Sequence, residues 1–446
     1  MDCKRIKTGL LALLAAVLCS GCLAHSADSL YALPRQSDAY YDLQKAIDTL
    51  MEGSSVYAAP VSGSNQQPVQ LADLDGDQED EAIVFLKSSG EKPLKICIFD
   101  KQNDSYENVA IIEGDGSAFD RVEYVDLDGR PGQELLVGRQ VSNQVLRSLG
   151  VYSYRDSRMM ELLSVNYSEF LTPDLDEDKT RDVFVLRLET EERGGVAELY
   201  RCRDGQLERE QEASLSVGVK SVRRIISGEM CPGVPAVFVA SAYGEDSIIT
   251  DIFAFDDQTF KNVSFAAETG LSTQTVRNYN AYATDIDDDG VIELPSLVAL
   301  PSMEAEDTYW MIDWYNLYPD GNRQVKQSTY HSYYGGWYLT LPGYWHGNIT
   351  VTRGETELAG VRGLVFSRWN GRETAPEEIL TIYALTGEDR WQLAEADGRF
   401  ILAEKGETVY CALLSDTSWA KRLSQDDVKD MFHFIRINWN SGEIGS

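Results

Sequence analysis

Four stretches of the chain carry acidic residues at a spacing that suits a divalent cation. Asp73, Asp75 and Asp77 are followed by Glu81; Asp126 and Asp128 by Glu134; Asp174, Asp176 and Asp178 by Asp182; and Asp285, Asp287 and Asp289 by Glu293. Each is a D-x-D-x-D-x-x-x-[DE] segment, except that Arg130 replaces the third acid of the second copy. Calcium takes roughly six to eight oxygens at flexible geometry, and acids at alternate positions of a tight loop point several carboxylates at one centre. Gly76 and Gly290 allow the sharp turn this requires. Like charges packed this closely repel, so an ion is expected to order each loop. The competing reading is a set of turn-forming aspartates that cap their own backbone. In the second copy the guanidinium of Arg130 could itself neutralise Asp126, Asp128 and Glu134. Metal binding there is expected to be weak or absent.

The elements that must hold these loops follow from the internal period. An apolar run succeeds each loop: 82–86, 135–137, 183–186 and 294–300. The loops start at 73, 126, 174 and 285, so the steps are 53, 48 and 111 residues, the last being about two periods. Midway in the long step, 225–229 and 236–239 repeat the apolar outline, with Ser227, Glu229, Cys231 and Pro235 in place of the acids. Every module also has a later aromatic-rich segment, at 96–100, 151–154, 199–200, 252–255 and 311–315. Two strands around the loop and two around the later turn make about four per period, as one propeller blade requires. The expected fold is mainly β, a β-propeller of four-stranded blades. Five blades are legible and five to seven possible, because 300–400 could hold degenerate copies.

With four acidic copies in register, the chain resembles the FG-GAP/VCBS repeat family over roughly residues 60–330. That family comprises the calcium-loop blades of integrin α-chain propellers and of many bacterial surface proteins. The resemblance implies structural calcium held by Asp73, Asp75, Asp77 and Glu81; by Asp174, Asp176, Asp178 and Asp182; and by Asp285, Asp287, Asp289 and Glu293. It implies a weak site at Asp126, Asp128 and Glu134, and loops without catalytic duty.

At the N-terminus, Lys4, Arg5 and Lys7 precede an apolar run, 10–18, too short to span a bilayer, and then Ser20-Gly21 and Cys22. This resembles a bacterial lipoprotein signal, with Cys19 at the position where that pattern prefers Leu. It implies removal of 1–21 and a membrane anchor on lipidated Cys22. Residues 22–54 read as a tether and a helix over 37–51, with Tyr40, Leu43, Ile47 and Leu50 on one face and Gly53 as its stop. The propeller is expected over 55–330 and a small α+β domain over 335–446. That domain closes with a helix from Ser424 whose buried stripe is Val428, Met431, Phe432 and Ile435, and which carries His433.

Asp and Glu total 72 against 40 Lys and Arg, a net charge of -32, which excludes nucleic acid and bare anionic lipid as partners. Cys97, Cys202, Cys231 and Cys411 lack C-x-x-C spacing, and the four His lack zinc spacing. No G-x-S-x-G, phosphate loop or H-E-x-x-H occurs. The aromatic-rich stretch 309–345 reads as core and interdomain packing, or as rings that grip a sugar or peptide. The function expected is a lipid-anchored surface protein for binding or adhesion, with a protein or glycan ligand. The alternative is a cell-wall or glycan-acting enzyme with its site near the domain interface.

Overall fold

The computed structural model describes residues 38–436 except 52–54, 103–104, 142–146, 191–192, 304–308 and 355–359. Residues 1–21, expected as a signal, Cys22 and Gly53 lie outside the described residues. Among them no helix is long and apolar enough to cross a membrane.

Strands dominate because the apolar runs are short, β-branched or aromatic, and punctuated by Gly and Asp turns. Helix α1 (Asp38–Leu50) is followed by six antiparallel sheets in chain order. The first has β1 (Val56–Tyr57), β2 (Val69–Ala72), β3 (Glu81–Lys87), β4 (Leu94–Gln102) and β5 (Ser105–Gly114). The second has β6 (Ala118–Val125), β7 (Glu134–Gln140), β8 (Arg147–Arg155) and β9 (Arg158–Tyr167). The third has β10 (Glu169–Leu171), β11 (Val183–Arg187), β12 (Val196–Arg203) and β13 (Gln206–Ser214). The fourth has β14 (Val219–Cys231), β15 (Val234–Tyr243), β16 (Ser247–Asp256) and β17 (Thr259–Asn262). The fifth has β18 (Leu294–Ala299), β19 (Trp310–Leu317), β20 (Arg323–Ser332) and β21 (Trp337–Leu341). The sixth has β22 (Ile349–Gly354), β23 (Val361–Arg368), β24 (Glu377–Leu385), β25 (Phe400–Lys405) and β26 (Thr408–Leu414). Helix α2 (Arg390–Ala394) precedes β25, and α3 (Gln425–Met431) leads into β27 (Phe432–Phe434), which pairs with β21.

Successive sheets pack face to face, each joint having its own apolar cluster. Ile83, Phe85, Ile96 and Ile98 of the first sheet meet Phe119, Val122 and Val137 of the second. The second meets the third through Leu136, Val151, Phe170 and Val185. Phe184, Leu199, Val237 and Phe253 join the third to the fourth, and Phe238, Ile252 and Tyr315 the fourth to the fifth. The first sheet therefore buries both faces of β3, and its other face, Ala82, Val84 and Leu86, receives Leu43 and Ile47 of α1. At the far end, Val361, Leu385, Val409 and Cys411 of the sixth sheet are covered by Ala394 of α2. A helix thus covers the outward face at each end of the stack.

The C-terminal region departs from the expected separate domain. The boundary at 330–335 runs from the last residues of β20 into the turn before β21, and these two strands are hydrogen-bonded neighbours. Residues 349–414 form a sixth sheet, and its core is shared with the fifth: Tyr330, Trp337 and Leu339 pack with Trp345, Phe366, Leu380 and Phe432. Much of the aromatic stretch is this joint, with Trp314, Trp337 and Trp345 buried, whereas Tyr333 and Tyr334 are exposed. Helix α3 has the expected capping box between Ser424 and Asp427, but it ends at Met431. The chain then turns extended to add β27 to the sheet, so His433 is a strand residue stacked on Tyr338. Cys97, Cys202, Cys231 and Cys411 are free thiols.

Phe366 touches both Tyr330 and Trp345 in the shared core. Phe366→Ala is expected to cost about 3–5 kcal/mol. Thermal unfolding followed by tryptophan fluorescence should shift as one transition; a second, unshifted transition would show that the fifth and sixth sheets unfold separately.

Candidate metal centres

The first three acidic loops join β2 to β3, β6 to β7 and β10 to β11, and the loop at 285–293 is closed by a bridge between Thr284 and Glu293 and leads into β18. One hydrogen bond recurs in all four: the acid at position nine is buried and accepts the backbone N–H of position two. The pairs are Leu74 N–H to Glu81 Oε2 at 2.7 Å, Leu127 to Glu134 Oε2 at 3.0 Å, Leu175 to Asp182 Oδ2 at 3.1 Å and Ile286 to Glu293 Oε2 at 3.1 Å. The apolar residue at position two is buried each time, which drags the amide inward. The earlier acids also cap the loop backbone, as with Gly76 N–H to Asp73 Oδ1 at 2.6 Å and Thr180 N–H to Asp178 Oδ1 at 2.8 Å. Capping and ion binding are compatible, because a carboxylate oxygen offers more than one lone pair.

Neighbouring loops are tied together. Gln133 N–H donates to Asp73 C=O at 3.0 Å, and Arg181 N–H to Asp126 C=O at 2.9 Å. Gly76, at φ +84°, lies so close to the second loop that a Cβ would sit 2.5 Å from the Pro131 backbone carbon. Gly132 meets the first loop as tightly, since a Cβ there would sit 2.7 Å from Leu74 O.

Carboxylate oxygens converge within 4.8 Å of one another in four sets: Asp73, Asp75 and Glu81; Asp126, Asp128 and Glu134; Asp174, Asp176 and Asp178; and Asp285, Asp287 and Asp289. These clusters could hold a metal ion. Asp77, Asp182 and Glu293 belong to the same loops but stand outside the tightest set. The fourth module has no loop. β14 runs on to Cys231, and a tight turn with Gly233 at φ +75° leads into β15, so the expected nine-residue outline is replaced by a hairpin.

The sets differ in their counter-charge, and here the sequence reading needs correction. Arg130 is 59% exposed and only 3.9 Å from Asp128 Oδ2, at the rim of the second loop. The guanidinium inside that loop belongs to Arg155, whose Nη2 lies 3.0 Å from both Asp128 Oδ1 and Glu134 Oε1. In the third loop Arg201 Nε donates to Asp182 Oδ1 at 2.8 Å, and its Nη2 is 3.1 Å from Asp176. In the fifth sheet Lys326 bonds Asp289 and stands 3.7 Å from Asp287, while Arg436 grips Asp288 with both nitrogens. Two loops expected to be complete therefore already contain a basic side chain.

Among the described residues the first loop has none. A register shift recurs in every loop-bearing sheet, at 98/99 between β4 and β5, 151/152 between β8 and β9, 199/200 between β12 and β13 and 314/315 between β19 and β20. The next residue faces the position-nine acid. In the second, third and fifth sheets it donates: Ser153 to Glu134, Arg201 to Asp182 and Asn316 to Glu293. In the first it is Asp100, which cannot donate when ionised. Glu81, 1% exposed, keeps Oε1 buried without a partner. Burial, opposed by the Leu74 amide and reinforced by Asp75, Asp100 and Asp77, pushes its carboxyl up to about 8. Burial raises Asp182 too, but there Arg201 opposes it.

A cleft of about 590 Å³ opens beside the acidic loop of the fifth sheet (the fifth loop), lined by Asp287, Asp288, Tyr344, Arg422, Asp430 and His433 among others. Arg422 lies over the rings of Tyr344 and Trp419 at 5.1 and 5.5 Å. Asp427 at its edge is held below the usual carboxylate range by Ser424.

No protein-family model matches this chain, and no curated protein matches it.

With no metal present, the folded Glu81 carboxyl titrates near 8 and the unfolded one near 4.5. Its contribution to stability is full below the lower value and is lost as pH rises through the upper one. In chelator, Glu81→Gln is expected to match the wild type near pH 4.5 and to exceed it by about 1–3 kcal/mol near pH 9. Urea denaturation across that range reads the difference; a difference that does not change with pH would contradict the assignment.

Proposed function

We propose that this chain is an extracytoplasmic binding protein, anchored by lipidated Cys22 and built of FG-GAP/VCBS-type propeller blades that structural calcium orders. The observation that supports the metal is the buried, unpartnered Glu81 Oε1 in a cluster with Asp73 and Asp75. An all-carboxylate set in a flexible loop suits a hard cation such as calcium, and excludes the sulfur and nitrogen shells that zinc or copper favour. Asp73, Asp75 and Glu81 would hold the ion, with Asp77 and Asp100 at its rim. Calcium would supply the positive charge that the first loop lacks and so fix its shape.

The cleft beside the fifth loop is the surface best suited to a ligand. Acids, arginine and aromatic faces meet there, which is the chemistry of polar ligands with apolar faces, such as glycans and protein segments. A glycan-acting enzyme would use the same place, since Asp427 and Asp430 stand outside the repeat. Asp427 caps a helix and its carboxyl is held down, which makes it a poor proton donor and favours recognition over catalysis.

Melting the mature protein with calcium and with chelator should give clearly different midpoints, because a ligand that binds only the folded state stabilises it. Equal midpoints would remove calcium from the proposal. On a glycan array or in pull-down from surface extracts, the wild type should retain a ligand that Tyr344→Ala and Arg422→Ala lose. Retention unchanged in both variants would place recognition elsewhere. In cell fractionation, Cys22→Ala should move the protein out of the membrane pellet.

A further inference from the structure

We propose that three of the four acidic loops are neutralised by the chain's own side chains, Arg155, Arg201 and Lys326, and that the first loop alone takes a divalent metal ion. The inference rests on the calcium reading of the first loop and separates it from loops that the acidic pattern would count as equivalent.

The basic groups stand where a cation would. Arg155 Nη2 contacts two of the three carboxylates in its cluster, both at 3.0 Å. Arg201 bridges Asp176 and Asp182, and its guanidinium is fixed 4.8 Å over the ring of Phe255 from the next sheet. Lys326 joins Asp289 and Asp287. A guanidinium or ammonium already offsets the negative charge that would draw a metal in, and it would repel a metal placed beside it. Both effects oppose binding in the same loop.

The first loop is different on two independent counts. No basic side chain reaches its ligand positions among the described residues; Lys101 is 3.8 Å from Glu79, outside them. Glu81 Oε1 is buried and unpaired, so a donor is missing at the one point where the other three loops have Ser153 with Arg155, Arg201, or Asn316. In the third loop Asp174 Oδ1 is also buried without a partner, so taking Arg201 away would expose four acids ready for an ion.

Calcium bound per chain, measured by equilibrium dialysis or isothermal titration on the mature protein, tests the assignment. The expected value is one for the wild type, none for Glu81→Ala, and two for Arg201→Ser, which installs at that position the residue found at Ser153. Arg155→Ser is the second probe should Arg201→Ser fold poorly, with near-ultraviolet circular dichroism reporting the fold; it too should gain an ion. Three or four ions in the wild type would overturn the inference and leave the calcium reading standing. None in the wild type would overturn the calcium reading, and the substitution would then stand or fall on whether Arg201→Ser gains an ion. One in the wild type with no gain in either variant would overturn the inference.

Discussion

Every acidic loop closes by burying a carboxylate against the amide of its second residue, and a buried carboxylate must have a partner. Leaving water costs an ion several kcal/mol unless its lone pairs are used. The amide of Leu74, Leu127, Leu175 or Ile286 uses one oxygen. What happens at the other oxygen distinguishes the loops. The side chain that faces it from the neighbouring strand is Ser153, Arg201, Asn316 or Asp100. That position, together with Arg155 and Lys326, distinguishes the loops completed by the chain from the first.

The same constraint ties the loops to the sheets. The position-nine acid begins the long inner strand, so the carboxylate lies at the edge of the cluster that joins one sheet to the next. Adjacent loops are bonded through backbone, Gln133 to Asp73 and Arg181 to Asp126. Order in the first loop is thereby passed to the second. The fourth sheet, which lacks a loop, buries polarity differently. Asp251 accepts from Ser216, Asn262 and Ser272, so its charge is spread over neutral donors.

Much of this was legible in the chain. The period, the four loops, the long strands and the α1 stripe follow from spacing, because alternating apolar runs and Asp-rich turns state their geometry locally. The capping box at Ser424 was equally local. What the sequence hid was nonlocal. Arg155, Arg201 and Lys326 lie 19 to 39 residues from the acids they meet, at positions that no motif marks. Lys326 is itself the extra residue of a bulge in β20, which a two-residue alternation cannot foresee. Arg130, adjacent in sequence, looked like the counter-charge and is not. The C-terminal helix was overextended because Phe432 suits a helical stripe as well as a strand. Pairing with β21 decided the matter.

The helices at the two ends of the stack have a further consequence. In a ring of repeats the last unit must meet the first, which fixes how many units there can be and how sharply each turns. Here α1 seals one outer face and α2 the other. A further sheet inserted between existing neighbours would need a matching apolar face on each side, while the two helix-covered faces would stay as they are.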